Sequence, residues 1–388
     1  MTKATRQLGT DSPQLPWLLL LFVVVHLIVW TVTPYFGQWK VPVDNYEQLD
    51  WVQHLAWGYA KHPPFPTWVL GATELLLPHS VATTYALGAL FTGAMLWLAW
   101  LLTDELLDRR RAIISVLLIC GITYYTSHVR YFNHNTALML AHAAATLCIW
   151  RCAESLRTRW WVLLGLIWGC GTLSKYQMAL TIACNVVYLA LLARQPGRAG
   201  EVREFVKGLL IAACVCALLL LPHVYWLVSN DFPTFGYASH SMTAALSGYR
   251  RMLNTLEFLG HHIGRAAPMA VVALLLAWLA RLRYRQDAPS PPAARPARDH
   301  ETLLLLQVHA LLPFALMTLL SLLGGVALQI HWGTAYLWLL GPLFMTTTIG
   351  RRLTHLPLWL VIAGVLLVEG STMLNLAQAA ARSAGSAG

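Results

Sequence analysis

Nineteen residues from Leu15 to Thr33, LPWLLLLFVVVHLIVWTVT, include no Asp, Glu, Lys or Arg. As a helix rising 1.5 Å per residue the run is about 28 Å long, close to the thickness of a bilayer's hydrocarbon core. A backbone in lipid must satisfy its own hydrogen bonds, so a helix that crosses the membrane is the fold this run admits. No small-residue cleavage site follows, and it reads as an uncleaved first span. Further apolar runs lie at 80–102, 112–126, 136–150, 160–174, 177–192, 208–228, 266–280, 302–323, 333–349 and 356–369, giving about eleven crossings, several of them short. Only 11% of the residues are charged, against roughly a quarter in soluble domains. The expected fold is a single all-α polytopic membrane domain over residues 1–388, with no separate soluble domain.

Charge sets the orientation. The segments between alternate runs hold Lys3, Arg6, Arg109 to Arg111, Arg151, Arg157, Arg159, four cations at 194–207, five at 281–298 and Arg351-Arg352, which is 19 of the 27 cations. By the positive-inside rule these segments face the cytoplasm, and the loop after the first run faces outward. The net charge of +10 is then an orientation signal and an attraction to anionic membrane lipid, and nucleic acid is not an expected partner. The stretch 281–301, rich in Pro, Ala and Arg, reads as a solvated cytoplasmic linker. The seven cysteines lie in or beside apolar runs with no metal or redox spacing, and read as inert buried thiols.

The outward loop, 34–79, carries DNYEQLDWVQHLAWGYAKHPP at 44–64. Asp44, Glu47 and Asp50 are spaced by three, so a helix lines them along one side. Trp51, Trp57 and Tyr59 make the segment aromatic and interfacial, and His62-Pro63-Pro64 is expected to stop the helix. Interfacial helices are expected here, with 65–77 too short to span. Eight cations are not needed for orientation: Lys40, Lys61, Arg130, Lys175, Arg250, Arg251, Arg265 and Arg382. Seven of them fall on the outward side. Lys175 interrupts an apolar hairpin, where a lone charge needs a partner or snorkels to the interface.

Asp44, then QHLAWGYAKHPP, GLIWGCGTLSKY and PHVYWLVSNDFPTFGYASHSM, resemble the polyprenyl-phosphate-sugar-dependent transferases, namely glycosyltransferase family 39 with the aminoarabinose and protein-mannosyl transferases of the glycosyltransferase-C fold. The similarity spans most of residues 15–350. It implies a multi-pass enzyme of a bacterial inner (plasma) membrane, active at the periplasmic or exterior face, with a polyprenyl-phosphate-linked sugar donor and a lipid, glycan or protein acceptor. The family's first-loop acid pair is usually Asp-Glu; Asp44 matches the aspartate, and Asn45 stands for the glutamate. The next outer loop, where a second acid is common, reads Phe132-Asn133-His134-Asn135, so Asn133 and Asn135 fall at that position. No cofactor is required by this reading, and a divalent ion such as Mg or Mn is left open with no ligand set named.

Transfer from a polyprenyl phosphate needs a base for the acceptor hydroxyl and cations for the departing phosphate. Asp44 is the expected base, with Glu47 or Asp50 as a fallback, although the same residues would suit a helix cap or a solvated face. Lys175 with an arginine, Arg250 or Arg251 preferred, is expected on the phosphate. His62, Arg130, Tyr176 and His331 complete the expected substrate contacts, His331 serving equally as an interfacial anchor. Inversion at the anomeric carbon is expected. His26, His142 and His309 read as hydrogen-bonded interior residues, and His261-His262 lacks a third ligand for zinc. Two rival classes are a secondary transporter and a non-catalytic lipid-binding protein. The first would spread charge near the midplane in two similar halves, whereas the unexplained charges here gather at one face and no repeat is found.

Overall fold

The computed structural model describes residues 15–242, 248–284 and 296–385, and no strand occurs among them. The chain runs through α1 (Leu15–Phe36), α2 (Val43–Trp51), α3 (Phe65–Glu74), α4 (Val81–Leu106), α5 (Arg109–Cys120), α6 (Tyr124–Ser127), α7 (His134–Ser155) and α8 (Thr158–Thr172). It continues through α9 (Met178–Leu192), α10 (Val202–Ser229), α11 (Pro233–Met242), α12 (Gly248–Arg283), α13 (Pro296–Leu322), α14 (Leu340–Thr346), α15 (Thr348–Arg351) and α16 (Leu358–Gly385). Each expected span coincides with a helix or a short helical run. Among the described residues, seven helices are long and apolar enough to cross a membrane alone: α1, α4, α7, α10, α12, α13 and α16.

The shorter elements explain the difference from eleven. α5 has 12 residues, about 18 Å, and every residue from Ala112 to Cys120 is buried, so it is a core strut rather than a lipid-facing span. α8 and α9, with 15 residues each, reach about 22 Å. Lipid is met instead by α1, α10, α12 and α16, whose Leu21, Leu218, Ile263 and Leu367 are well exposed.

Two expected loops are helical. The segment 229–264 contains α11 and the first 17 residues of α12, a helix of 36 residues and about 54 Å that overshoots the roughly 30 Å core. Of the linker expected at 281–301, the first residues finish α12, where Arg281 and Arg283 favour the negative helix end, and the last open α13, with Asp299 in its first turn. Residues 285–295 of that linker, and Lys3 and Arg6, lie outside the described residues.

Charge pairing staples the arginine-rich end. Arg198 reaches Glu301 at 3.0 Å, Glu201 at 2.8 Å and Glu154 at 3.3 Å, joining α7, α10 and α13. Arg151 pairs with Glu105 at 2.6 Å across α7 and α4. The opposite end holds α2, α3 and the motifs. There α2 stops at Trp51 and a 3-10 turn ends at His54, well short of the prolines. The cause is local: the Tyr59 hydroxyl folds back to within 3.3 Å of the Trp51 and His54 carbonyls while its ring stacks on Trp51 at 5.0 Å. Gly58 then lets the chain touch α10, since a Cβ there would lie 2.3 Å from Trp226.

Candidate functional site

The two most specific sequence motifs meet. The Phe65 N–H, just after the His-Pro-Pro turn, donates to the Leu173 carbonyl of the Leu-Ser-Lys-Tyr turn at 2.9 Å. Next to this junction α7 begins, and its N-cap is Asn133, whose Oδ1 accepts from the backbone N–H groups of Asn135 and Thr136, both at 2.9 Å. Asn133 Nδ2 donates to Asp44 Oδ2 at 2.7 Å. An aspartate at 133 would cap the helix as well but would set a second carboxylate against Asp44. Only the amide accepts at one end and donates at the other. Asp44 is thereby oriented by one oxygen, and its Oδ1 has no protein partner among the described residues.

Asn135, two residues on, accepts from Lys175 Nζ at 2.5 Å. The ammonium also lies 6.0 Å above the Trp332 ring. Burial is the main influence on Lys175, drawing its pKa down to about 7, and the charge of Asp44 works against it. The base candidate and the cation candidate thus sense each other, each held by an asparagine of the loop that departs from the family pattern.

Glu47 is committed elsewhere. Both its oxygens accept from Lys61, at 2.7 and 2.9 Å. Burial opposes the Lys61 ammonium, but the Glu47 hydrogen bond and charge outweigh it and leave its pKa above the usual lysine value. Asp50 is exposed, while Asn45 and Gln48 are fully buried. Asn45 donates to Thr84 Oγ1 at 2.8 Å and to the Arg130 carbonyl at 3.0 Å, and accepts from the Phe132 N–H at 3.3 Å. A glutamate carboxylate has no N–H to give the Thr84 and Arg130 oxygens, so Asn45 fastens α2 to α4 and to the second loop.

The histidines are neutral packing groups in this cluster. His62 does not bond Asp44; its ring lies 3.9 Å from that of His134, with Trp51 at 6.4 Å. Burial first, then the charges of Lys175, Lys61 and His331, bring the His62 pKa to about 3. Burial and the same two lysines, with Arg265, hold His331 below the ordinary histidine range, although its ring remains open to solvent. Tyr176 does not face this group with its hydroxyl. His223 donates from Nδ1 to the Trp57 carbonyl at 2.6 Å, so a neutral ring accepts the Tyr176 hydroxyl at Nε2, 2.8 Å away. Tyr176 ties the aromatic loop to α10.

The expected arginines are redistributed. Arg130 is buried as a bracket: its Nη1 donates to the Lys40 carbonyl and to the Tyr85 hydroxyl, both at 2.9 Å. Arg250 is exposed in the first turn of α12, and the Arg251 guanidinium packs against the Gly325 backbone. Arg265, one of the eight cations that orientation leaves unexplained but not among the arginines expected on the phosphate, is the arginine whose field reaches His331 together with Lys175 and Lys61. It stacks over Tyr124 at 5.4 Å and donates from Nε to His261 at 2.8 Å. Lys61, also among those eight, enters the cluster too, as do Trp332 and Gln177, whose Nε2 donates to the Trp332 carbonyl at 2.6 Å. Among the described residues no three His, Cys, Asp or Glu side chains converge as metal ligands. The hydrogen-bond donor on Asp44 is the Asn133 amide, and Lys61 and Lys175 are coupled to the carboxylate through charge.

Residues 61–226 match the family model described as dolichyl-phosphate-mannose-protein mannosyltransferase. The lipopolysaccharide core galacturonosyltransferase RgtA of Rhizobium johnstonii is 28% identical over 240 residues, covering 59% of this chain and 44% of that protein. The undecaprenyl phosphate-alpha-4-amino-4-deoxy-L-arabinose arabinosyl transferase 1 of Pseudomonas fluorescens is 25% identical over 225 residues, 54% of this chain and 38% of that one. The chain therefore spans about half or less of the length of these relatives. Among solved structures, ArnT from Cupriavidus metallidurans bound to undecaprenyl phosphate superposes with a TM-score of 0.63 at 20% identity, over 94% of this chain and 64% of ArnT. The Archaeoglobus fulgidus oligosaccharyltransferase AglB, in complex with an inhibitory peptide and a dolichol-phosphate, gives 0.57 at 12% identity, over 95% and 56%. The helical order, the meeting of the two motifs and these likenesses agree: this is a multi-pass membrane protein of the glycosyltransferase-C fold, and over residues 61–226 it resembles the dolichyl-phosphate-mannose-protein mannosyltransferase family.

Proposed function

We propose that the protein is an inverting glycosyltransferase that takes a sugar from a polyprenyl-phosphate donor at the outer face of a bacterial inner membrane. The observation that carries this reading is the pairing of Asp44 with Lys175 through Asn133 and Asn135 at the first turn of α7. The unbonded Asp44 oxygen takes the proton of an acceptor hydroxyl as that hydroxyl attacks the anomeric carbon from the face opposite the phosphate. The anomeric carbon–oxygen bond breaks, and the phosphate keeps the electron pair. Its added charge is met by Lys175 and Arg265, which stabilise the transition state more than the bound donor. No acid is needed on the leaving side.

The named relatives act with galacturonic acid and aminoarabinose, on a lipopolysaccharide core in the first case. Donors carrying a uronic acid or an amino sugar are therefore the first to test, with lipid-linked glycans as acceptors. Purified protein in liposomes should transfer label from such a donor, and a deletion strain should accumulate the donor while losing one sugar from a surface glycolipid, both read by mass spectrometry. Absence of transfer from every polyprenyl-phosphate sugar tried, with an unchanged envelope, would overturn the reading. Orientation is tested separately with Gln53→Cys, at an exposed position beside α2. An impermeant thiol reagent should label it in intact cells once any outer membrane is permeabilised, and labelling only after lysis would place the site on the wrong side.

A further inference from the structure

His26 and Glu369 stand 343 residues apart in sequence and meet inside the bundle. Each lies eleven residues into its helix, α1 and α16, so both are about 16 Å from the helix start and near the middle of a spanning segment. They are 3% and 8% exposed. Ionisable groups at that depth are costly and need partners. The partners are complete: His26 Nδ1 faces Glu369 Oε1 at 3.0 Å, His26 Nε2 faces the Tyr125 carbonyl at 2.9 Å, and Trp30 donates to Glu369 Oε2 at 3.2 Å.

Hydrogen-bond logic counts the protons. A carbonyl only accepts, so His26 Nε2 carries a hydrogen. The contact between Nδ1 and Oε1 then needs one further proton, on either atom, and the dyad is neutral overall in both arrangements. The Tyr125 carbonyl is a free end of the four-residue helix α6, because the Val129 N–H that would reach it turns to Thr126 instead. His26 supplies the missing donor.

α6 is where two arms of the site begin. The Tyr125 hydroxyl donates to the Thr334 carbonyl at 2.8 Å, and Thr334 Oγ1 donates to the His331 carbonyl at 2.6 Å, beside Trp332 and Lys175. In the other direction the chain leaves α6 through Arg130 to Asn133, which holds Asp44. We infer that His26 and Glu369 form a one-proton dyad that positions α6, and through it Asp44 and the His331–Trp332 segment, for sugar transfer. Both are positioning residues, and the inference rests on the transferase reading above.

The test uses the full chain in lipid nanodiscs, with transfer kinetics and equilibrium binding of a polyprenyl phosphate measured side by side. Glu369→Gln keeps all three contacts, since its amide donates to a neutral Nδ1 and its oxygen still accepts from Trp30, so kcat should stay within about twofold of the parent. Glu369→Leu strips the contacts, and folded protein should lose at least about tenfold in kcat with its affinity for polyprenyl phosphate unchanged. If Glu369→Leu yields no folded protein, His26→Asn, whose amide falls short of the Tyr125 carbonyl, replaces it with the same expectation. A folded contact-breaking variant with parental kcat, or a Glu369→Gln as damaged as Glu369→Leu, overturns the inference. Nitrogen-15 NMR of His26 in the parent protein should show Nε2 protonated, and an unprotonated Nε2 refutes the dyad whether or not transfer is observed. A parent without turnover refutes the transferase reading instead.

Discussion

Lys175 offers the sharpest test of the site, because its charge is both needed and costly. With a pKa lowered from 10.5 to about 7 it is half protonated near neutrality, and each pH unit above that removes about tenfold of the ammonium form. A polyprenyl phosphodiester has no proton to exchange in this range. The nearby groups are silent there: His62, at about 3, is neutral, His331 is held below the ordinary histidine range, and Lys61 is held charged. Donor affinity should therefore be flat below pH 7 and fall above it toward the level of a protein without the charge, with Kd roughly 10- to 50-fold weaker at pH 9 than at pH 6.5. A charge-assisted hydrogen bond is worth about 1.5–3 kcal/mol, so Lys175→Met should weaken binding about 10- to 150-fold at pH 6.5 and abolish the pH dependence.

The same substitution should stabilise the fold. Between pH 7 and 10.5 the unfolded lysine binds a proton that the folded one releases, so stability rises with pH there; the cost is full below 7 and gone above 10.5. At neutral pH it is of the order of 4 kcal/mol at 1.36 kcal/mol per unit, and Lys175→Met removes part of it. The assay is equilibrium titration of a short-chain isoprenyl phosphodiester at half-unit pH steps, with a thermal melt of each protein. Affinity that stays flat from pH 6 to 9, or a variant that binds as the parent does, refutes the assignment.

Asp44→Asn should cost about 10²- to 10⁴-fold in transfer rate with donor binding retained, while Glu47→Gln and Asp50→Asn remain active, as initial rates in liposomes will show. Retained activity in Asp44→Asn with loss in either control would name a different base. Arg265→Met should weaken the donor about as much as Lys175→Met does, whereas Arg250→Ala, exposed in the first turn of α12, should stay within about twofold. Gly88→Ala would put a Cβ 2.6 Å from the Val129 carbonyl and 2.7 Å from that of Tyr131, so thermal melts should report a loss of about 1–3 kcal/mol. A Gly88→Ala protein as stable as the parent would mean that the second loop yields freely.

Sequence carried the membrane architecture because apolar runs and charge asymmetry are one-dimensional signals. It offered Asp44 and Lys175 as candidates for a related reason: each is a charge that neither the runs nor the orientation explains. Choosing among the arginines needed one fact that periodicity blurred, that α12 runs unbroken from Gly248. Fifteen residues along that helix separate Arg250 from Arg265 by about 22 Å, and it is Arg265 whose charge reaches His331. The end of α2 at Trp51 was hidden because the Tyr59 hydroxyl, not a helix breaker, donates to the Trp51 carbonyl and to that of His54 just beyond it. Asn133 was visible as a departure from the acidic pattern, but its double role shows only once Asp44 is opposite. Glu369 had no signal at all, its partner being at the other end of the chain.

Coupling between Asp44 and Lys175 makes one more prediction, which separates a catalytic pair from two residues that share a region. Asp44 is the group whose charge raises the Lys175 pKa against the effect of burial. Asp44→Asn keeps the shape and the space but removes that charge, so the ammonium is less favoured. The midpoint of the pH-dependent donor binding should then move below its parental position near 7. Removing Asp44 also relieves its repulsion of the donor phosphate, but that raises the plateau affinity without moving the midpoint upward toward the parent. The two effects are read independently from one titration series, with plateau from the acid limb and midpoint from the break. Opposite charges within about 4–6 Å commonly shift a pKa by one unit or more, a displacement that half-unit pH steps resolve. A midpoint unchanged or raised in Asp44→Asn would show that the two side chains act separately, and the paired mechanism would have to be abandoned even if both residues proved essential.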